Sequence, residues 1–295
     1  SNQTLTKGTH TIKVGKGGDI AGNFTANNGR DSELGPYIAY GGSGGAGYST
    51  TEPDFNITTN RFGSGGGGLG WNDNSSYIGY HNANERINQT NPSIQGGIAN
   101  KGGRGYQDPV GGDSSTLLTG FLGGGGGGAG GMGQDAIPND NTSYVGKAGN
   151  GGFGLDYSAV FGTNVGSNGW FAGGGGGAGA SISGDIAGTG NNGGLGGGGN
   201  GNSSGTGLAG TNGTGGGGGG GGYANQIGGV GGSGIVIIKF KKIVNTEEIR
   251  AYYHSGGAEN QSTYNLYVGP NTICDILIVA GGGAGGGRQG GGGGA

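Results

Sequence analysis

The sequence has very few of the residues that cross-link or punctuate ordinary globular proteins. A single cysteine, Cys274, excludes a framework of internal disulfide bonds. Only 6 of the 295 residues are proline, and this excludes the collagen triple helix, which needs abundant proline and glycine at every third position. Hydrophobic residues make up 29% of the chain. Burial of apolar side chains alone is therefore a weak source of stability here.

Charge is also scarce, and this limits the partners that the chain can recognise. Charged residues make up 11% of the sequence, and its 14 lysines and arginines are scattered over a chain of net charge −3. No nucleic-acid partner is expected, because nucleic-acid binding relies on clustered cations that neutralise phosphates. The apolar runs are far shorter than the roughly 20 residues of a membrane span, so no span is expected either.

Glycine, in contrast, supplies 91 residues. It is concentrated in runs at residues 41–47, 63–70, 123–133, 173–179, 193–201, 215–222 and 281–294. Flexible glycine and low hydrophobicity would fit disorder, but the chain has 13 Tyr, 8 Phe and 2 Trp and little net charge. In polyglycine II, an extended helix with three residues per turn, every N–H and C=O points outward to a neighbour. The composition favours a bundle of such helices over disorder.

Several short segments between the glycine runs have strand patterns. Thr9–Val14 and Tyr264–Val268 alternate polar and apolar residues, whereas Ile235–Phe240 is a continuous β-branched run typical of a buried strand. Ile273–Val279 leads directly into the last glycine run, and Asn245–Tyr253 is interpreted as a short helix or linker. We predict an all-β-like, helix-poor fold, in which a polyglycine II bundle is flanked by one small sheet. That sheet is expected to contain Thr9–Val14, Ile235–Phe240 and Ile273–Val279.

Three segments of the chain resemble a known family. They are similar to segments of the repetitive glycine-rich domain of giant-virus, phage and environmental microbial proteins. The segments are Cys274–Val279 running into polyglycine, Thr11–Val14 followed by Gly-Lys-Gly-Gly, and Gly234–Ile238. A more distant likeness extends to the glycine-rich region of anaplastic lymphoma kinase and leukocyte tyrosine kinase receptors, and to phage tail-tip adhesins. The resemblance implies surface or fibre proteins with polyglycine rods, and it supplies no catalytic residues.

The order of two of these segments is reversed relative to that family, in which the Cys274–Val279 strand opens the unit and the Gly234–Ile238 strand closes it. We divide the chain into a glycine-rich bundle with strands at 1–242 and a segment at 243–295 that begins or completes the next unit. Three arrangements are open: the last strand completes the next subunit, the chain is one repeat of a longer protein, or both ends fold back on the same domain. The candidate assembly residues are Ile235, Val236, Ile237, Ile238, Ile273, Cys274, Ile276, Leu277, Ile278 and Val279.

One segment matches a cofactor-binding pattern. Asp275–Val279 is followed by a Gly-x-Gly-x-x-Gly match at residues 281–286. A dinucleotide site also needs a helix that starts at the third glycine and an acidic residue about 20 positions later. Here the tract continues in glycine, and the histidines have no second ligand at metal-binding spacing. We therefore predict no catalytic, cofactor-binding or metal-binding residues, and no enzymatic activity.

Two groups of residues are candidates for binding or modification at an exposed surface. Aromatic residues in Tyr77–Tyr80, Tyr106 and Trp170–Phe171 either display a binding surface or cap the bundle. Asn-X-Ser/Thr sequons mark candidate N-glycosylation sites, although the Asn- and Ser-rich composition is an alternative explanation for them. These sequons are at Asn2, Asn23, Asn56, Asn74, Asn88, Asn141, Asn202, Asn212 and Asn260.

The sequence thus predicts a structural subunit of an extracellular or particle-surface filament. Copies would assemble head-to-tail by complementation of strands and polyglycine segments. The alternative is a receptor- or glycan-binding adhesin of a viral or phage particle.

Overall fold

The structure is a computed structural model, and it describes residues 2–21, 25–46, 63–68, 79–81, 98–107, 120–137, 146–181, 191–222, 227–240, 248–270, 272–287 and 290–295. Within these ranges the chain is rich in antiparallel strands and has one short helix, which confirms the prediction of a helix-poor, sheet-rich fold. The elements are β1 (Asn2–Leu5), β2 (Gly8–Gly15), β3 (Ile20–Ala21), β4 (Thr25–Ala26), β5 (Ser32–Leu34), β6 (Tyr37–Ala39), β7 (Gly79–His81), β8 (Gly105–Gln107), β9 (Gly120–Leu122), β10 (Leu155–Asp156), α1 (Ser158–Phe161), β11 (Trp170–Phe171), β12 (Gly179–Ser181), β13 (Ile235–Phe240), β14 (Glu248–Tyr253), β15 (Gln261–Val268) and β16 (Thr272–Val279).

Two four-stranded antiparallel sheets contain the longest strands. The first sheet has the order β1-β16-β13-β14, and the second has the order β15-β2-β5-β6. The prediction that Thr9–Val14 shares one sheet with Ile235–Phe240 and Ile273–Val279 is wrong. The segment Thr9–Val14 lies in β2, which pairs with β15 and β5 and therefore belongs to the second sheet.

The two sheets face each other across an apolar core. Alternation along β2 places Ile12 and Val14 in this core, where both are 0% exposed. Val236 and Ile238 of β13 and Cys274 of β16 supply the opposite side. Leu5, Leu34, Leu266 and Val268 complete the cluster.

A second core lies on the other face of the first sheet. Ile235 and Ile237 of β13 pack there with Phe161, Phe171 and Val279. Because β13 is covered on both faces, its residues from Ile235 to Ile238 are all 0% exposed. This burial explains the unbroken β-branched run and confirms that it forms a buried strand.

The interpretation of Asn245–Tyr253 as a short helix or linker is wrong where the structure describes it. Residues Glu248–Tyr253 form β14, an edge strand that pairs with all six residues of β13. Arg250 donates to Glu248 at 2.6 Å, and its guanidinium lies 5.2 Å from the centre of the Phe240 ring. Its conformation follows from its pairing with the neighbouring β13.

The remaining strands form small sheets of short strands. One has the order β12-β9-β8-β7, and the pairs β10-β11 and β3-β4 stand apart from it. In the ranges given above, no helix is long and apolar enough to cross a membrane.

Candidate assembly site

The glycine tracts are buried, and they bond to one another through backbone groups rather than through side chains. The last of them, residues 290–295, lies in the middle of the described tracts. Its neighbours are residues 41–46, 63–68, 123–128, 173–178, 215–221 and 281–286. The backbone of this segment therefore meets protein backbone on every side.

The hydrogen bonds of residues 290–295 repeat every three residues. Gly291 and Gly294 donate to the same neighbouring tract, and Gly292 and Ala295 donate to another. The donor–acceptor pairs are Gly291–Gly124 (3.1 Å), Gly294–Gly127 (2.8 Å), Gly292–Gly218 (2.8 Å) and Ala295–Gly215 (2.9 Å). The carbonyl groups of this segment also repeat every three residues. Those of Gly291 and Gly294 accept from Gly67 and Ser64 of one tract, and those of Gly290 and Gly293 accept from Gly286 and Gly283 of another. Each tract thus turns its N–H and C=O groups to successive neighbours.

At many positions of these tracts only glycine fits, because backbone atoms fill the space that a side chain would need. A Cβ on Gly292 would lie 2.2 Å from the carbonyl oxygen of Gly283, and one on Gly217 would lie 2.0 Å from that of Gly292. Neither position has room for a methyl group.

The Gly-x-Gly-x-x-Gly match at residues 281–286 is part of this packing. Gly281 donates to the carbonyl of Arg30 at 2.9 Å, Gly283 to that of Gly293 at 2.9 Å and Gly286 to that of Gly290 at 2.7 Å. The backbone N–H groups that would cradle a phosphate in a dinucleotide site are therefore bonded to other parts of the chain.

The candidate assembly strand, β16, is the second strand of the first sheet. It pairs with β1 from Asn2↔Asp275 to Leu5↔Thr272 and with all of β13 from Ile235↔Val279 to Phe240↔Cys274. Cys274, Ile276 and Ile278 pack in or against the core between the sheets, and Leu277 and Val279 pack in or against the second core. Ile273 is 45% exposed, so it differs from the other assembly residues of this strand.

Cys274 is a core residue rather than a reactive thiol. It is 0% exposed, and burial raises the pKa of the thiol, to which the negative charge of Asp275 adds. A raised pKa keeps the thiol protonated and poorly nucleophilic at neutral pH.

We call residues 272–295 the closing segment; its described parts, residues 272–287 and 290–295, contain β16 and two stretches of glycine. In this single chain the segment inserts into its own first sheet and between its own glycine tracts. This is the arrangement in which both ends of the chain fold back on the same domain. The division of the chain at residues 242 and 243 stays a prediction, and strands from both sides of it share the first sheet.

The sequons have different positions. Five of them lie outside the described residues: Asn23, Asn56, Asn74, Asn88 and Asn141. Asn2 lies in β1, and Asn202 is half-buried with its side chain bonded to Thr206 and Ser204. Asn212 and Asn260 are exposed, so their side chains are accessible for modification.

The aromatic candidates are mostly structural where they can be placed. Phe171 is 1% exposed and belongs to the second core, which agrees with a capping role. Trp170 and Tyr106 are half-buried, and Tyr77 lies outside the described residues.

Sequence reasoning missed a difference between inner and outer glycine tracts. Some tracts carry a larger residue at every third position, as in Asn150-Gly-Gly-Phe153 and Asn192-Gly-Gly-Leu195. Phe153 and Leu195 are 53% and 63% exposed, whereas the intervening glycines face neighbouring tracts. Single substituents at three-residue spacing are the signal that could have identified the exposed tracts.

Comparisons with known proteins give no assignment. No protein-family model, curated protein or solved structure matches the chain. In the described part of the chain, no group of three His, Cys, Asp or Glu residues could hold a metal ion.

Proposed function

We propose that the chain is a non-catalytic structural subunit of an extracellular or particle-surface filament. Its rigid part is a bundle of polyglycine II helices next to two facing sheets. Copies of the chain join head-to-tail, since each one inserts its closing segment, residues 272–295, into the next.

The three-residue period of the hydrogen bonds supports the polyglycine II conformation. A strand alternates its backbone groups between two sides, whereas polyglycine II turns them through three directions and so bonds to neighbours all around. Gly291 and Gly294 donate to one tract, and Gly292 and Ala295 to another, as a three-residue turn requires.

The central position of the closing segment is the observation that carries the proposal. Residues 272–295 pair with β1, with β13 and with glycine tracts from most of the chain. A second copy offers the same partners, so a segment donated from outside would form the same hydrogen bonds and fill the same two cores. A contact between two different surfaces that does not close on itself produces an open filament.

The link before the closing segment supports an exchange between copies. β15 belongs to the second sheet and β16 to the first, so the chain crosses from one sheet to the other within a few residues. Gly269 and Pro270 lie in this link, and the hydroxyl of Thr272 donates to the carbonyl of Gly269 at 3.0 Å. Short connections of this kind favour the swapping of an element between copies.

A disulfide between β1 and β16 tests which chain supplies the segment. Gln3 lies directly opposite Cys274 in the antiparallel register, so their side chains are on the same face, as a disulfide between Cys274 and a Gln3→Cys variant requires. We expect oxidised filaments of this variant to run as a ladder of covalent oligomers on a non-reducing denaturing gel.

A double variant, Gln3→Cys with Cys274→Ser, is the matched control and should give no ladder. Electron microscopy of the same samples should show filaments of uniform width. An oxidised product that is entirely monomeric, although filaments are present, would refute the exchange of residues 272–295. Compact knobs at the tips of other fibres would instead support a receptor- or glycan-binding adhesin.

A further inference from the structure

Six uncharged side chains on three adjoining outer tracts form a surface with one large aromatic ring. Gln134 donates its backbone N–H to Asn150, Gly151 donates to Asn192, and Gly154 donates to Leu195. The tracts that contain residues 131–136, 149–154 and 191–196 therefore lie side by side.

The ring of Phe153 is the centre of this surface. A Cβ on Gly130 would meet the ring at 2.8 Å and one on Gly131 would meet it at 2.5 Å, so the ring lies directly on the backbone of the next tract. The side chain is nevertheless 53% exposed. Met132 and Leu195, on the tracts to either side, are 58% and 63% exposed. The ring thus packs on the backbone of Gly130 and Gly131 on one side and is open to solvent on the other.

Amide side chains lie on the same three tracts as the ring, and Asn150 is three residues from Phe153 along its tract. The Asn150 amide nitrogen donates to Oε1 of Gln134 at 2.9 Å, and its oxygen accepts from the backbone N–H of Asn192 at 3.1 Å. These bonds fix the orientation of Asn150. Gln134 and Asn192 are exposed, and in the described part of the chain the Gln134 amide nitrogen and the Asn192 side chain have no hydrogen-bond partner.

The charged residues nearest in sequence are Asp135, Lys147 and Asp156, and both carboxylates are already bonded. Asp135 accepts from the backbone N–H of Arg104 at 2.6 Å. Hydrogen bonds from the Ser158 hydroxyl and from the Ser158 backbone N–H, the latter at 2.8 Å, lower the pKa of Asp156. No basic side chain belongs to the surface formed by Met132, Gln134, Asn150, Phe153, Asn192 and Leu195. An anionic ligand would therefore find no charged partner among the six residues of the surface itself.

We propose that this surface, the Phe153 platform, binds a neutral polysaccharide. The C–H face of a sugar ring is apolar and packs on an exposed aromatic ring, and hydroxyl groups both donate to and accept from amide side chains. A flat ring held on a neighbouring backbone, with unpaired amide groups of Gln134 and Asn192 on the adjoining tracts, satisfies both needs without a deep pocket. The inference goes beyond the structural role, and it does not depend on how copies of the chain assemble.

Titration calorimetry on the full chain tests the proposal with defined probes. Oligosaccharides of glucose and of mannose represent neutral polysaccharides, and an oligosaccharide of galacturonic acid is the acidic counterpart. We expect at least one neutral oligosaccharide to bind and the acidic one to bind at least about tenfold more weakly. In a Phe153→Leu variant, which keeps an apolar cover on Gly130 and Gly131, affinity should fall at least about tenfold.

A Tyr267→Leu variant is the matched control, because Tyr267 is an aromatic residue of β15 that is 65% exposed and distant in the fold from the platform. It should bind like the original chain, whereas Gln134→Ala should bind more weakly. Absence of binding to both neutral oligosaccharides at millimolar concentration would overturn the proposal. Binding that Phe153→Leu does not weaken would overturn it equally. The disulfide ladder of the Gln3→Cys variant reports on assembly alone, so the two proposals can fail separately.

Discussion

At the residue scale, glycine takes the place that large apolar side chains have in other proteins. Ordering a glycine costs roughly 0.5–1 kcal/mol more than ordering an alanine. Each net backbone hydrogen bond contributes about 0.5–1.5 kcal/mol, and a residue such as Gly292 takes part in two, one through its N–H and one through its C=O. These bonds form only if the neighbouring backbones approach closely, which the absence of a Cβ allows. The tracts therefore gain stability collectively, when many of them pack together.

A Gly292→Ala variant tests this role. Its Cβ would lie 2.2 Å from the carbonyl oxygen of Gly283 and 2.6 Å from that of Ala284, so neighbouring tracts would have to separate. We expect the free energy of unfolding to fall by at least about 2 kcal/mol, measured by chemical denaturation.

Gly269→Ala is the control for that measurement. A Cβ on Gly269 has no atom within 4 Å, so the substitution should change stability by less than about 0.5 kcal/mol. Equal stabilities of the two variants would mean that the tracts are loosely packed in solution.

At the scale of elements, β13 connects the two side-chain cores. Its alternate residues face opposite cores, and its long pairings with β14 and β16 hold the first sheet together. The closing strand β16 repeats this pattern less completely, because Ile273 at its start is half-exposed. Side chains on β13 should therefore contribute more to stability than similar side chains at the start of β16.

An alanine substitution at Ile237 measures that contribution. Ile237 is 0% exposed, and its loss leaves a cavity in the second core, so we expect a destabilisation of about 2–5 kcal/mol. Ile273→Ala, at a side chain that is 45% exposed, should cost less than about 1 kcal/mol. Thermal or chemical unfolding of both variants checks the difference, and a larger effect at Ile273 would contradict the two-sided burial of β13.

The partners of strands were harder to predict than the strands. Alternation placed Thr9–Val14 and Tyr264–Val268 in strands, and both lie within β2 and β15. It did not show that these two pair with each other in a second sheet, because a pattern of period two describes one strand and its exposed face only. Edge strand β14 was missed for a related reason, since its conformation depends on β13 rather than on its own residues.

At the scale of the whole molecule, two small side-chain cores stand beside a large volume of packed backbone. Unfolding such a chain exposes many peptide groups and little apolar surface. Exposed apolar surface raises the heat capacity and exposed polar surface lowers it, and ordinary proteins gain about 12–15 cal/mol/K per residue. The balance here is shifted towards the polar contribution.

We therefore expect a heat-capacity change of unfolding below about 10 cal/mol/K per residue, and a correspondingly flat dependence of stability on temperature. Differential scanning calorimetry at several pH values measures this quantity. A value in the ordinary range would mean that apolar burial, rather than backbone packing, dominates the stability of the folded chain.

The sequence by itself determined the helix-poor fold, the position of β13 and the extent of β16, because glycine content and runs of β-branched residues act locally. It also identified residues 273–279 as a strand that leads into glycine. Only the tertiary structure decided that this segment runs through the middle of the tracts, that two sheets face each other, and that Phe153 lies on a neighbouring backbone. These features depend on which glycine tracts are neighbours. Because glycine has no side chain, the sequence of a tract contains no pattern from which its neighbours can be predicted.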